Sequence, residues 1–400
     1  MDLNQTPRLR MAIFIAIAWL ALLLRLPQLA DRPMHTDEAV NAYITGDILQ
    51  GAAYHYDPQD RHGPALYALA APVAALAGAG DLASLTETSL RLTPVICGST
   101  LIVLFGLAVE MFGFLPCLVA ALLFAVAPLP VYYNRYFIHE TPFLTATFGL
   151  LVAGWRAWQR ESPWAAGVAG ACAALMLASK ETAVIAWLGL ITGVLVAARW
   201  TPLPKRISGR TIGVGLAVFA VVSLLLFTWF GRHWAVFTDL WPAVNRFAAR
   251  AGGEGHEKPF TYYLGLLDGT FMLFLLALAG VYAVICEVVK GSGQARLAMI
   301  AFGVVSWLVY SAIPYKQPWL ALNLWLPFAF LVGFGVDAIW DEVKVAKGRW
   351  VIGIGGVCLL LTLGAQTQEW VFQKPAEEKN PLAYAHTTPD ILRLAPRIEE

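Results

Sequence analysis

Asp37 and Glu38 stand side by side about ten residues after the first apolar run long enough to cross a membrane, Met11 to Leu24. Carboxylates are costly next to hydrocarbon and are kept there mainly where they act. They open a segment, Glu38 to Gln50, whose Val40, Tyr43, Ile44 and Ile48 recur at helical spacing. A helix N-terminus there would favour the ionised acids. Other connections add polar groups: Tyr56, Arg61 and His62, then Arg135 and Glu140, Lys180 and Glu181, Lys258 and Tyr262, and Lys316. Cations of this kind bind phosphate, aromatic faces hold a sugar ring, and a carboxylate can take a proton from an attacking hydroxyl. Phosphate is already a good leaving group, so neutralising its charge matters more than protonating it. The set therefore suits transfer of a sugar from a lipid-linked phosphate.

Each residue also has a plainer role. Asp37-Glu38 could be an N-cap and a first-turn acid, and Arg135 could simply pair with Glu140 at a helix end. Arg61-His62 could cap the apolar stretch 64–79. Lys316, between Pro314 and Pro318, could snorkel to the interface. Tyr and Trp at helix ends mostly form interfacial belts. His35, His55, His62, His139 and His256 are spread over three loops without a tight metal spacing, a weak case for zinc. A divalent metal ion is the one cofactor considered, on Asp37, Glu38 and Glu140, and it requires the loops to bring those acids together.

These residues must be positioned by membrane helices. Of 400 residues 58% are hydrophobic and 14% charged, with mean hydropathy +0.62, against about 45–50% and about 25% in soluble domains. The runs are long enough for helices rather than barrel strands. The expected fold is an all-α polytopic membrane protein with about eleven spans: 10–28, 90–110, 115–132, 142–156, 164–179, 182–199, 211–230, 262–286, 297–313, 319–339 and 351–369. Residues 64–79 are apolar but short, hence re-entrant or interfacial.

Short connections carrying Arg156/Arg160, Arg199/Lys205/Arg206/Arg210, Lys290/Arg296 and Lys344/Lys347/Arg349 are basic. The positive-inside rule makes them cytoplasmic, together with the N-terminus. The long loops 29–89 and 231–261 and the tail then face out, with Asp37, Glu38, Asp57, Asp60, Glu140, Glu181, Glu254 and Glu257. The net charge of +1 gives no reason to invoke nucleic acid. Cys97, Cys117, Cys172, Cys286 and Cys358 fall within expected helices and read as packing residues. The first apolar run lacks an A-x-A site and reads as a helix rather than a signal peptide. No internal repeat is evident, which weakens an inverted-repeat transporter.

The order of motifs resembles the C-type (GT-C) glycosyltransferases, in the branch of the dolichyl-phosphate-mannose protein mannosyltransferases and the lipid A aminoarabinose transferases. Within it the chain is most similar to a family labelled flippase-activity-associated and linked to archaeal N-glycosylation. The resemblance rests on His35-Thr36-Asp37-Glu38-Ala39, Asp60-Arg61-His62-Gly63-Pro64, Arg91-Leu92-Thr93-Pro94, Tyr133-Asn134-Arg135-Tyr136, Lys180-Glu181-Thr182, Lys258 to Tyr263 and Tyr315 to Trp319. Asn380 to Tyr384 and His386 to Asp390 also fit.

The resemblance implies a catalytic base at Asp37 with Glu38 beside it, and a second-loop acid near Glu140, where relatives usually carry aspartate. Arg61, Arg135 and Lys316 would hold the donor phosphate, and His62, Tyr56, Lys258 and Tyr262 the substrate. Expected partners are a polyprenyl-phosphate-linked sugar donor, a glycan, lipid or protein acceptor, and membrane lipid. The reading is an inverting transferase of the cytoplasmic (inner) membrane acting on its outer face. Residues 1–370 would form the transmembrane domain and 371–400 a short outward-facing tail. A lipid-linked-glycan transporter or flippase, and a non-catalytic subunit of a glycan assembly pathway, are the alternatives; the clustering of charge at helix ends favours the enzyme.

Overall fold

The structure, a computed structural model, describes residues 7–57, 61–200, 207–236, 238, 242, 245–246, 249, 252, 255–267, 271–387 and 390–391. Asp60, Lys205, Arg206, Glu254 and Pro389 lie outside the described residues. The chain runs through α1 (Pro7–Arg25), α2 (Thr36–Leu49), α3 (Ala65–Leu76), α4 (Glu87–Leu107), α5 (Val109–Phe112), α6 (Phe114–Val126), α7 (Pro128–Tyr133), α8 (Glu140–Arg160), α9 (Pro163–Leu177), α10 (Ala183–Trp200) and α11 (Gly209–Phe227). Helices Tyr262–Leu267, Phe271–Val289, Gln294–Ala312, Ala321–Glu342 and Ala346–Thr367 follow, the last continuing into a π-helical turn, Gln368–Gln373. Among the described residues the one strand-like contact is an isolated antiparallel bridge, Glu257 to Tyr315.

The protein is an integral membrane protein: among the described residues eight helices are long and apolar enough to cross a bilayer. α6 and α9 are shorter but apolar, and α8 has the length but carries Glu140, Arg156 and Arg160. Together these account for the eleven expected spans. The span expected at 115–132 is two helices because Pro128 biases Ala127 to an extended conformation, ψ 145°. α3, at 12 residues, is too short to cross.

The helix Ala321–Glu342 forms the centre. Its Phe330 stacks on Phe148 of α8, ring centroids 5.5 Å apart, and meets Phe105 of α4 edge-on at 5.3 Å. Such aromatic pairs add about 0.5–1.5 kcal/mol beyond the area they bury. Gly280 and Gly335 let the helices Phe271–Val289 and Ala321–Glu342 touch backbone to backbone, since a Cβ on either would overlap a carbonyl oxygen of the other helix. α11 and the helix Ala346–Thr367 expose mostly apolar side chains, as helices against lipid must.

Ion pairs and hydrogen bonds sort the connections into two groups. At one end Arg160 pairs with Glu110, and Arg296 with Glu287 and Asp337. At the other, the connections after α1, α7, α9 and the helix Gln294–Ala312 interlock with residues 256–258 and the tail. That second end holds every sequence-predicted site residue.

Candidate active site

α2 begins with a capping box. The His35 side chain accepts the Asp37 N–H at 3.1 Å through Nδ1, and Glu38 Oε2 accepts the His35 N–H at 3.2 Å. A single turn thus points two neighbouring acids in different directions. Glu38 is fully buried. Arg91 of α4 grips it with Nε to Oε1 and Nη2 to Oε2, both 2.9 Å; Arg32 adds contacts of 3.0 Å to both oxygens, and the Phe137 N–H donates at 2.9 Å. Burial opposes ionisation of Glu38, but Arg32 and Arg91 outweigh it and hold the carboxyl down at about 2. Glu38 therefore welds the first connection to α4 and to the segment after α7.

Asp37 faces the other way, with half of its side chain accessible. Among the described residues no lysine or arginine pairs with it; its Oδ1 lies 3.8 Å from His35 Nδ1. Burial keeps the His35 imidazole below its usual range, which fits a ring whose Nδ1 accepts. Around His35 stands an aromatic and histidine patch: Tyr136 at 5.9 Å, Trp319 at 5.5 Å and His386 at 5.4 Å between ring centroids.

The patch continues to the two lysines. Trp319 meets Tyr384 at 6.0 Å, Tyr384 donates to or accepts from His256 Nδ1 at 2.5 Å, and Lys258 Nζ lies 5.8 Å from the Tyr384 ring. Lys316 is buried, and its Nζ donates to the carbonyls of Lys258 at 3.1 Å and Ile313 at 2.5 Å. Burial lowers its pKa. The backbone joins the two as well, through Lys258 N to Pro314 O at 3.1 Å and Lys316 N to His256 O at 3.0 Å. Tyr262 is half-buried beside Tyr263, 5.3 Å between rings.

A second cluster gathers the other candidates. His62 Nδ1 lies 2.9 Å from Glu181 Oε2, and the Tyr56 hydroxyl donates to Glu181 Oε1 at 3.1 Å. Burial works against the Glu181 charge, yet His62 holds its carboxyl at about 2. Glu140, at the start of α8, pairs with Lys180 at 2.5 Å, both buried; the plainer expectation of an Arg135–Glu140 pair is replaced by this one. Gly63 brings the first connection onto α9, since a Cβ there would overlap the Ala178 carbonyl, and Ala65 N donates to the same oxygen at 2.8 Å. Arg61 is half-buried, its N–H donating to Asp57 O at 2.7 Å.

Arg135 is directed elsewhere. Its Nη2 donates to Pro27 O at 2.5 Å and Gln28 O at 2.9 Å, and its guanidinium lies 4.5 Å from the Phe372 ring centroid. The tail is also a member of the site end: Tyr132 donates to Pro375 O at 2.7 Å, Tyr133 to Leu382 O at 2.8 Å, and Tyr136 meets His386 Nε2 at 3.2 Å. His386, Tyr384 and Arg32 are residues that sequence reasoning did not single out. The signal for the first two is the tail motif, Asn380 to Tyr384 and His386 to Asp390, which carries the resemblance without a role for either residue.

A divalent ion does not fit the acid set. Glu38 is saturated by two guanidiniums and two N–H groups, and Glu140 is paired with the Lys180 ammonium. Among the described residues no three of His, Cys, Asp and Glu converge.

Residues 62–226 match the family described as dolichyl-phosphate-mannose-protein mannosyltransferase. No curated protein sequence matches the chain. Among solved structures, ArnT from Cupriavidus metallidurans bound to undecaprenyl phosphate superposes with TM-score 0.63 at 15% identity, over 91% of this chain and 65% of that one. Archaeal oligosaccharyltransferase AglB from Archaeoglobus fulgidus, in complex with an inhibitory peptide and a dolichol-phosphate, gives 0.65 at 13%, over 95% and 56%. Arabinofuranosyltransferase AftD from Mycobacteria gives 0.52 at 19%, over 91% and 26%. The fold is that of the C-type glycosyltransferases, and the chain spans about two thirds or less of the length of these structures.

Proposed function

We propose that this chain is a membrane glycosyltransferase that moves a sugar from a polyprenyl-phosphate donor to a hydroxyl or amide acceptor at the outer face of the cytoplasmic membrane. In this reading the N-terminus is cytoplasmic, residues 1–370 form the transmembrane domain, and the site lies on the first connection, 29–89. Asp37 takes the acceptor proton, and the acceptor attacks the anomeric carbon opposite the phosphate. The carbon–oxygen bond to phosphate breaks, the phosphate leaves with the electron pair, and the configuration inverts. Lys316 and Lys258, with Arg61, neutralise the leaving phosphate. Glu38 orients Asp37 rather than exchanging protons, and the Glu140–Lys180 pair together with His62, Glu181 and Tyr56 shapes the sugar-facing wall. Arg135 is assigned instead to the connection between α1 and α2, whose Pro27 and Gln28 carbonyls it holds.

The observation that supports this most is the contrast between adjacent acids. Glu38 is sealed and neutralised, whereas Asp37 keeps half its carboxylate accessible, next to a patch of Tyr, Trp and His that leads to two lysines. A general base contributes roughly 10²–10⁴-fold, and holding both reactants together lowers the barrier further.

The test is transfer by purified protein in liposomes, supplied with polyprenyl-phosphate hexose and pentose donors and read by mass spectrometry of the released polyprenyl phosphate. Asp37→Asn should lose at least about 10²-fold in turnover while binding donor lipid as before. Turnover near wild type in that variant would remove Asp37 from the role. Movement of labelled donor lipid across the bilayer with no sugar released would replace the transferase reading altogether.

A further inference from the structure

Behind Glu38 lies a concentration of positive charge that the catalytic reading does not use. Arg25, Arg32, Arg91 and Arg135 are all at least nine-tenths buried, and Glu38 is the one buried carboxylate among them. Four guanidiniums against one carboxylate leave a surplus of three positive charges. Asp31, the next nearest acid to Arg135, is exposed. Carbonyl dipoles supply part of the compensation: Arg25 donates to Ala21, Phe124 and Ala125, Arg91 to Leu29 and Arg32, and Arg135 to Pro27 and Gln28. Carbonyls carry partial charges only, and uncompensated charge away from water is expensive.

The compensation is also incomplete by count. Arg135 Nε and Nη1 are buried and have no hydrogen-bond partner among the described residues, and neither has Arg25 Nε. Buried donors without partners call for a water or an ion. Next to Arg135 is a small cavity of about 10 Å³ lined by Gln28, Leu29, Arg32, Arg91, Tyr132, Arg135 and Val371. That is room for about one water-sized body, too little for a phosphate. Burial and the neighbouring Arg32 and Arg91 lower the Arg135 pKa to about 10, the response expected of a cation short of negative partners.

We propose that the cavity between Arg32, Arg91 and Arg135 binds a monatomic anion, a halide such as chloride, that completes the charge balance of the arginine cluster. The anion would sit against the Arg135 Nε and Nη1 donors. It would fasten the connection between α1 and α2, on which Asp37 stands, to the segment after α7. This is a structural site separate from the donor phosphate, and it does not depend on the chain being a transferase.

The experiment uses the full chain in lipid nanodiscs at fixed ionic strength and pH 7.5, with sodium gluconate exchanged stepwise for sodium chloride, bromide or phosphate. A bound ion stabilises the folded state by mass action, so chloride and bromide should each raise Tm along a saturating one-site curve by about 2 °C or more. Phosphate should not. Crystals soaked in bromide should show one anomalous peak in van der Waals contact with Arg135 Nη1. Arg135→Gln should abolish the halide dependence; if that variant does not fold, the bromide peak on the wild-type chain decides. A Tm indifferent to halide at constant ionic strength, a water in place of the bromide, or an equal shift with phosphate would each overturn the assignment.

Discussion

Arg91 holds Glu38 through two parallel contacts of 2.9 Å across 53 residues of sequence. This bidentate fork is the geometry in which an arginine–carboxylate pair is strongest. It makes the second acid of the Asp37-Glu38 pair an anchor, and in the proposed function the first is the one left to act. The two should therefore fail differently when neutralised. Glu38→Gln leaves Arg32 and Arg91 buried without their carboxylate and should cost about 3–5 kcal/mol of stability, with activity lost through unfolding. Asp37→Asn should leave the melting temperature nearly unchanged. Thermal denaturation of the two variants side by side checks the distinction, and equal destabilisation would defeat it.

Acid should unfold the site end from two places at once. Glu38 and Glu181 are both held at about 2 in the folded chain, below an unfolded glutamate near about 4.3. The stability they contribute is fully present above that unfolded value and is lost as the pH falls through about 4 toward 2, where the folded carboxyls finally protonate. For Glu38 the full loss is about 3 kcal/mol. Melting temperatures recorded from pH 7 to pH 2.5 should fall most steeply in that window. The drop should be shallower in Glu181→Gln, which removes one of the two titrating groups.

The tail should titrate earlier. Burial, with Arg32 and His35 nearby, pushes the His386 imidazole down to about 3. An unfolded histidine near about 6.5 binds its proton first, so the docking of His386 weakens as the pH falls below about 6.5 and is worth most above it. Hydrogen exchange over residues 380–387, corrected for intrinsic rates, should be slower at pH 7.5 than at pH 5.5. His386→Gln should remove that difference.

Glu140 and Lys180 offer a double-mutant cycle. Lys180→Met alone strands a buried carboxylate and should cost about 3–5 kcal/mol. Lys180→Met with Glu140→Leu removes both charges and should recover a large part of that loss. Chemical denaturation of the four proteins gives the coupling, and strictly additive effects would mean that the 2.5 Å contact carries no energy.

Gly335→Ala should destabilise the bundle by about 1–3 kcal/mol, because the added methyl has nowhere to go but into the Leu276 carbonyl. Gly353→Ala, in the lipid-facing helix Ala346–Thr367 with open space at its Cβ, is the matched control and should be neutral. A detergent melt of both variants tests this.

Much of this arrangement was legible in the chain itself. Apolar runs of membrane length located each spanning helix, because in a bilayer nothing but a helix satisfies that backbone. The place of the Asp37-Glu38 pair at the start of a helix was legible from its position, and the tail motif around Tyr384 and His386 from its order along the chain. What the residues could not reveal is partner choice between distant segments. Arg91 stands in the motif Arg91-Leu92-Thr93-Pro94, which names no partner for it, yet it is the main partner of Glu38. The direction of the Arg135 side chain follows from where Pro27 and Gln28 place their carbonyls. Glu140 was matched to the nearest arginine in sequence and found a lysine 40 residues away instead. Each of these outcomes depends on how helices stack, which periodicity does not encode.

The small antiparallel bridge between Glu257 and Tyr315 has a mechanical meaning. It rivets two connections into one plate, and Lys316 adds a third rivet by reaching back to the Lys258 carbonyl. The two lysines are thus carried by one piece of backbone, and a displacement of either connection moves both. On the first connection, Glu38 beside Asp37 is bolted to α4 by Arg91. In the proposed function the gap between Asp37 and these cations is thus set by how two stiff bodies lean on each other, and an alteration at the seam between them would reset that gap for every substrate alike.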